Sequence, residues 1–265
     1  MIKCILTDMD GTILNSQGDI SLYTKNILQT ALNSNIILAV ASGRFFQGID
    51  RIFNIFDNDI IYTCNNGSWI ENSSRTKVYH KSIFSNKEIE IILDLIRSHT
   101  DSGYYVCTSD YGITDKYFDY IIEELKISDS RLHIEKDLLS IKEDITKITI
   151  CILEGVYELY DILFNILGDK YALVISGDIW LDIIKKDASK ANAVYTLEKE
   201  LNIKPEEIIV FGDFDNDVPM LELCQNSYAM KNASTRAKKA AKFTADSNDN
   251  DGVAKIVSDV LDLKF

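Results

Sequence analysis

The stretch Ile2-Lys3-Cys4-Ile5-Leu6-Thr7-Asp8-Met9-Asp10-Gly11-Thr12 decides how this chain is read. An apolar run, Ile2 to Thr7, passes directly into a polar cluster, the pattern of a buried strand followed by a loop. The same pattern returns at Ile36 to Ala41, which ends in Ser42-Gly43-Arg44, and at Ile60 to Cys64, which ends in the turn signal Asn65-Asn66-Gly67. Between these strands lie helical patterns. Ser21 is placed to cap the first, whose apolar positions are Leu22, Ile27, Leu28, Ala31 and Leu32; the second carries Ile49, Ile52 and Phe53 on one face. Strands alternating with helices predict right-handed crossovers and a parallel sheet.

The middle of the chain reads differently. Val78 to Ile83 alternates weakly, and helical patterns cover Asn86 to Ser98, Tyr117 to Leu125 and residues 156–168. Strand patterns cover Tyr104 to Thr108, Ile145 to Leu153, Tyr171 to Ile175 and Ile179 to Ile184. This predicts a compact α+β module with an antiparallel sheet. From Ser189 the first pattern resumes: a helix near 190–201, a buried strand Glu207 to Phe211 ending in Gly212-Asp213, a helix near 216–223, a short strand Ser227 to Met230, and helices near 234–241 and 252–262. The expectation is an α/β protein. Its doubly wound parallel-sheet core comprises residues 1–82 and 186–265, with an inserted α+β cap at 83–185.

Composition narrows the function. Hydrophobic residues make up 46% of the 265 positions and charged residues 26%, which suits a globular chain able to fold without disulfide or metal staples. Acidic residues outnumber basic ones, 41 to 28, for a net charge of -13, so a broad nucleic-acid surface or adsorption to anionic membranes is not expected. An anionic small substrate then needs a local cation. The five cysteines, Cys4, Cys64, Cys107, Cys151 and Cys224, are dispersed and odd in number, as in a reduced, cytoplasmic protein. The N-terminus lacks the long apolar stretch of a secretion signal, and no run reaches membrane-spanning length.

In open parallel sheets, ligands bind beyond the carboxyl ends of the strands. Asp8-Met9-Asp10-Gly11-Thr12, Ser42-Gly43-Arg44 and Gly212-Asp213-Phe214-Asp215-Asn216-Asp217 all fall there, and Lys190 opens the helix before the last of them. Carboxylates crowded into one cleft repel one another, and a hard divalent cation relieves the repulsion. One carboxylate can attack phosphorus and a second, two residues on, can move the proton; a hydroxyl, backbone N–H groups and a lysine can spread the phosphoryl charge. Each piece has an ordinary reading as well. Asp and Gly are turn formers, Gly-Asp-x-x-Asn-Asp could be a capped helix start, and a lone helical lysine is usually solvated. The four pieces in order, each at a strand end or helix start, outweigh those readings. The chain has no H-E-x-x-H, no P-loop sequence and no cysteine followed six positions later by arginine, which removes three other chemistries. Cys64 at a strand end, and Trp180, Tyr111 and Asp182 in the insert, could face the cleft or simply pack in the interior.

The ordered set Asp-x-Asp-Gly-Thr, Ser-Gly-Arg, Lys and Gly-Asp-x-x-Asn-Asp resembles the haloacid dehalogenase-like superfamily, and the large insert resembles its Cof-type sugar-phosphatase subfamily. The resemblance implies an Mg²⁺-dependent phosphatase acting on a small phosphorylated metabolite through an aspartyl-phosphate. Asp8 would be nucleophile and metal ligand; Asp10 would be general acid/base, with its carbonyl on the metal; Thr12 would help hold Asp10; Asp213 would ligate the metal. Ser42, Gly43, Arg44 and Asn216 would hold phosphate or substrate. Lys190 would neutralise nucleophile and phosphate, with Asp217 beside it. The cap would close over the cleft. A phosphomutase and a phospho-aspartate signalling domain are the alternatives, and the protein is expected to be a monomer or a weak homo-oligomer. Two departures are Lys186-Asp187-Ala188-Ser189-Lys190-Ala191, where glycines often flank the serine-lysine pair, and Pro219, which fits only in the first turn of its helix.

Overall fold

The computed structural model describes residues 1–127, 131–176 and 178–263; positions 128–130 and 177 of the expected cap range, and 264–265 of the expected core range, lie outside it. The strands in chain order are β1 (Cys4–Asp8), β2 (Ile37–Ala41), β3 (Ile61–Cys64), β4 (Trp69–Asn72), β5 (Val78–Lys81), β6 (Gly103–Cys107) and β7 (Gly112–Thr114). They continue as β8 (Leu132–Ile134), β9 (Lys147–Cys151), β10 (Tyr171–Ile175), β11 (Trp180–Lys185), β12 (Ile208–Gly212), β13 (Asn226–Ala229) and β14 (Phe243–Thr244). The helices are α1 (Leu22–Asn33), α2 (Phe46–Phe53), α3 (Asn86–His99), α4 (Asp119–Ile127), α5 (Tyr157–Leu167), α6 (Ala191–Leu201), α7 (Val218–Leu223), α8 (Thr235–Ala240) and α9 (Gly252–Val260).

The chain forms two compact units, one of Met1–Ser42, Ile49–His80 and Ser189–Phe265, the other of Gly43–Gly48 and Lys81–Ala188. The first holds an eight-stranded sheet in the order β14-β13-β12-β1-β2-β3-β4-β5. β1 pairs in parallel with both β2 and β12, so the strand order reverses beside it, the position where open α/β sheets bind ligands. Every residue of β1 and β12 is buried, as a parallel strand covered on both faces requires. Ser21 caps α1, its hydroxyl accepting from the Thr24 N–H at 3.0 Å. Ile27, Leu28, Ala31 and Leu32 form the buried stripe of that helix, whereas Leu22, expected on the same face, is 75% exposed in its first turn.

The second unit holds a six-stranded sheet, β10-β11-β9-β6-β7-β8, antiparallel except for the parallel pair β7–β8. Successive side chains of a strand face opposite ways. Tyr104 and Val106 therefore join Ile148, Ile150, Leu181 and Ile183 in the main core with Ile92 and Leu163 of α3 and α5, while Tyr105 and Cys107 pack with Phe45 and Ile121 on the other face. Ser85 and Glu88 close the first turn of α3 as a reciprocal capping box. All five cysteines are buried and none is in a disulfide. Among the described residues no helix is long and apolar enough to cross a membrane.

Candidate active site

β1 delivers Asp8 to the carboxyl edge of the first sheet, where the residue is 5% exposed. The chain then turns sharply. Gly11 takes φ 74°, and a Cβ there would sit 2.4 Å from Asp213 Oδ2. Only glycine allows both the left-handed backbone and that approach. Thr12, one residue on, donates its hydroxyl to Asp213 Oδ1 at 2.8 Å. The first and last motifs thus meet directly.

Lys190 immediately precedes α6 and is 2% exposed. Its ammonium donates to Asp8 Oδ1 at 2.5 Å and to Asp217 Oδ1 at 2.6 Å. The second oxygen of Asp217 accepts from the N–H groups of Asp213 and Phe214 at 2.8 and 3.0 Å, so this carboxylate fixes the lysine and the loop together. Pro219 lies in the first turn of α7, where its missing N–H leaves no helical bond unmade.

The electrostatics follow from burial. Desolvation and the neighbouring Asp217 push the Asp8 carboxyl well above its usual range, against the pull of Lys190. Asp213 is shifted upward for the same first two reasons. Desolvation works against the Lys190 charge, but Asp217 and Asp8 overcome it and hold the ammonium above its ordinary value. Oxygens of Asp8, Asp213 and Asp217 lie within 4.8 Å of one another. Three carboxylates crowd around one ammonium. A hard, oxygen-preferring divalent cation fits that donor set.

The remaining expected residues fall in four places. Asp10 is exposed on the turn after β1. Ser42 is buried at the end of β2, its N–H donating to Thr63 O at 2.9 Å. Gly43 and Arg44 belong to the second unit, where the Lys147 ammonium donates to Gly43 O at 3.3 Å. Asn216 donates from Nδ2 to Asn66 Oδ1 at 3.1 Å.

Asn66 and Gly67 are neighbours of the site that the sequence marked only as a turn. Gly67 has φ 92°, and a Cβ on it would lie 1.9 Å from the Ser189 carbonyl oxygen, so the turn packs directly on the backbone next to Lys190. The dipeptide's turn chemistry was visible; the identity of its contact was not. Of the insert residues, Asp182 is buried, whereas Trp180 and Tyr111 are half-buried. Asp182 accepts from Lys147 Nζ at 3.2 Å and Thr149 Oγ1 at 2.7 Å; Trp180 stands edge-on to Tyr105 at 6.2 Å between ring centroids; Tyr111 stacks on His133. Cys64 is fully buried.

Residues 5–257 match the family model described as haloacid dehalogenase-like hydrolase, and the chain belongs to that family. It is 27% identical to 5-amino-6-(5-phospho-D-ribitylamino)uracil phosphatase YbjI of Escherichia coli, across 98% of this chain and 96% of that protein. It is 26% identical to phosphatase YwpJ of Bacillus subtilis, across 98% of this chain and 100% of that one. The crystal structure of SMU.1108c from Streptococcus mutans superimposes with a TM-score of 0.87 over 99% of this chain and 100% of its own, at 26% identity.

Proposed function

We propose that this hydrolase is an Mg²⁺-dependent phosphatase that cleaves small phosphorylated metabolites, sugar phosphates first among them, through a phosphorylated Asp8. One observation carries the proposal: a buried carboxylate at the switch point of a parallel sheet is ion-paired to a buried lysine and faces a second carboxylate from a distant strand end. Relatives named as phosphatases, one of them for a 5-phospho-D-ribitylamino compound, support the reaction and the substrate class.

In this reading an Asp8 oxygen attacks phosphorus as the bond from phosphorus to the leaving alcohol oxygen breaks. Asp10 gives that oxygen its proton. Asp10 then accepts a proton from water as the water oxygen attacks the phosphoryl group, the bond to Asp8 breaks, and inorganic phosphate leaves. Lys190 lies against Asp8 and offsets charge at the transferring group, and Asp217 keeps the lysine there. Ser42, the backbone at Gly43, and Asn216 would hold phosphoryl oxygens, with Arg44 directed to the substrate. Asp8 and Asp213, with the Asp10 carbonyl, would hold Mg²⁺, which when bound neutralises the crowded carboxylates and phosphate oxygens. Thr12, bonded to Asp213, would keep that ligand in place.

The test is hydrolysis of p-nitrophenyl phosphate by wild type and Asp8→Asn, each with Mg²⁺ and with chelator. The proposal expects turnover only for wild type with Mg²⁺. Equal rates in all four conditions would refute it.

A further inference from the structure

The Asn65-Asn66-Gly67 turn has three successive residues at positive φ: 49°, 56° and 92°. Left-handed conformations cost about 1 kcal/mol or more at non-glycine positions and persist only where surrounding structure enforces them. Several of the contacts of this turn lead to the site. The Asn66 N–H donates to Ser42 O at 3.0 Å. The Asn66 Oδ1 accepts from Asn216 Nδ2 at 3.1 Å. Gly67 lies against the Ser189 backbone, and its carbonyl accepts from Asn192 Nδ2 at 3.1 Å in the first turn of α6. One short turn therefore touches the strand-end serine, the loop after β12 and the start of the lysine helix.

The Asn216 amide is only half satisfied. Its nitrogen is held by Asn66, while its Oδ1 is buried with no hydrogen-bond partner among the described residues. An unmet buried acceptor costs about 1–3 kcal/mol. Such a cost is tolerated where a ligand or water completes the bond. The protonated oxygen of a phosphate monoanion can donate to it.

We propose that Asn66 is a positioning residue of the phosphate pocket: it fixes the Asn216 amide plane in the orientation that receives a phosphate group. This rests on the phosphatase reading above. In this arrangement Asn66 acts through Asn216.

The test is a double-mutant cycle with Asn66→Gly and Asn216→Ala. Glycine keeps the left-handed backbone and deletes the amide. The Kd of inorganic phosphate, measured calorimetrically with Mg²⁺, and kcat/KM for p-nitrophenyl phosphate are the two readouts. Each single variant should weaken phosphate binding about five- to tenfold, the loss of about one hydrogen bond. In the Asn216→Ala background, Asn66→Gly should change binding by less than about twofold, because the amide it positions is gone. Equal losses in both backgrounds, unchanged phosphate affinity in either single variant, or no phosphate binding by wild type would overturn the inference. A coupled binding cycle in a protein that hydrolyses no phosphate ester would overturn the phosphatase reading and keep this one; turnover with an uncoupled cycle would do the reverse.

Discussion

Replacing Lys190 by methionine leaves Asp8 and Asp217 buried without their common cation. The volume is nearly preserved, so the effect is electrostatic rather than a cavity. At an effective dielectric of about 20, an ion pair at 2.6 Å is worth about 6 kcal/mol before desolvation. Most of that offsets the cost of burying the charges, but removing one partner exposes the cost and destabilises by about 3–5 kcal/mol. For a domain of this size each kcal/mol lowers Tm by about 2–4 °C, so Lys190→Met should melt about 6–20 °C lower. The assay is thermal and urea unfolding in chelator, so that no divalent ion substitutes for the ammonium. The double variant Lys190→Met with Asp217→Asn should recover a substantial part of the loss, because it removes one of the two stranded charges. A Lys190→Met protein within about 1 kcal/mol of wild type, or a double variant no better than the single, would refute the reasoning.

Gly67→Ala should lose about 3 kcal/mol or more, since the new methyl meets the Ser189 carbonyl at 1.9 Å and the backbone stays left-handed; urea unfolding checks it, and a neutral result would deny the contact. The Glu88 carboxyl gives a pH signature. Burial would raise its pKa, but hydrogen bonds from Lys185 and Ser85 pull it down to about 2. A depressed carboxylate adds stability above its unfolded pKa and loses it as pH falls through the folded value. Wild type should therefore lose stability between about pH 4.5 and pH 2, and Glu88→Gln should lose less over that window. Parallel acid-unfolding curves for the two proteins would contradict the assignment.

Much of the fold was legible because fully buried parallel strands leave unbroken apolar runs. Ile5-Leu6-Thr7 and Ile209-Val210-Phe211 needed no alternation to be read. The elements that escaped are short or polar. β7, β8 and β14 have three, three and two residues, too few for any periodicity. β4 was hidden because Glu71 and Asn72 are buried polar residues, satisfied by Trp69 Nε1 and by Asp59, Ser74 and Thr76. The same limit applied to the site. Asp8 and Asp213 announce themselves at strand ends, but the pairing of Thr12 with Asp213 and of Asn66 with Asn216 joins residues remote in sequence. No local pattern encodes which side chains a fold will bring within hydrogen-bond reach.

The most direct measurement is mass spectrometry of Asp10→Asn protein quenched in acid after exposure to p-nitrophenyl phosphate and Mg²⁺. Without Asp10 to activate water, the phosphorylated protein should accumulate, with one phosphoryl group on the peptide that begins the chain and the modification at Asp8. A phosphoryl group on any other residue, or rapid release of phosphate by Asp8→Asn, would contradict the account.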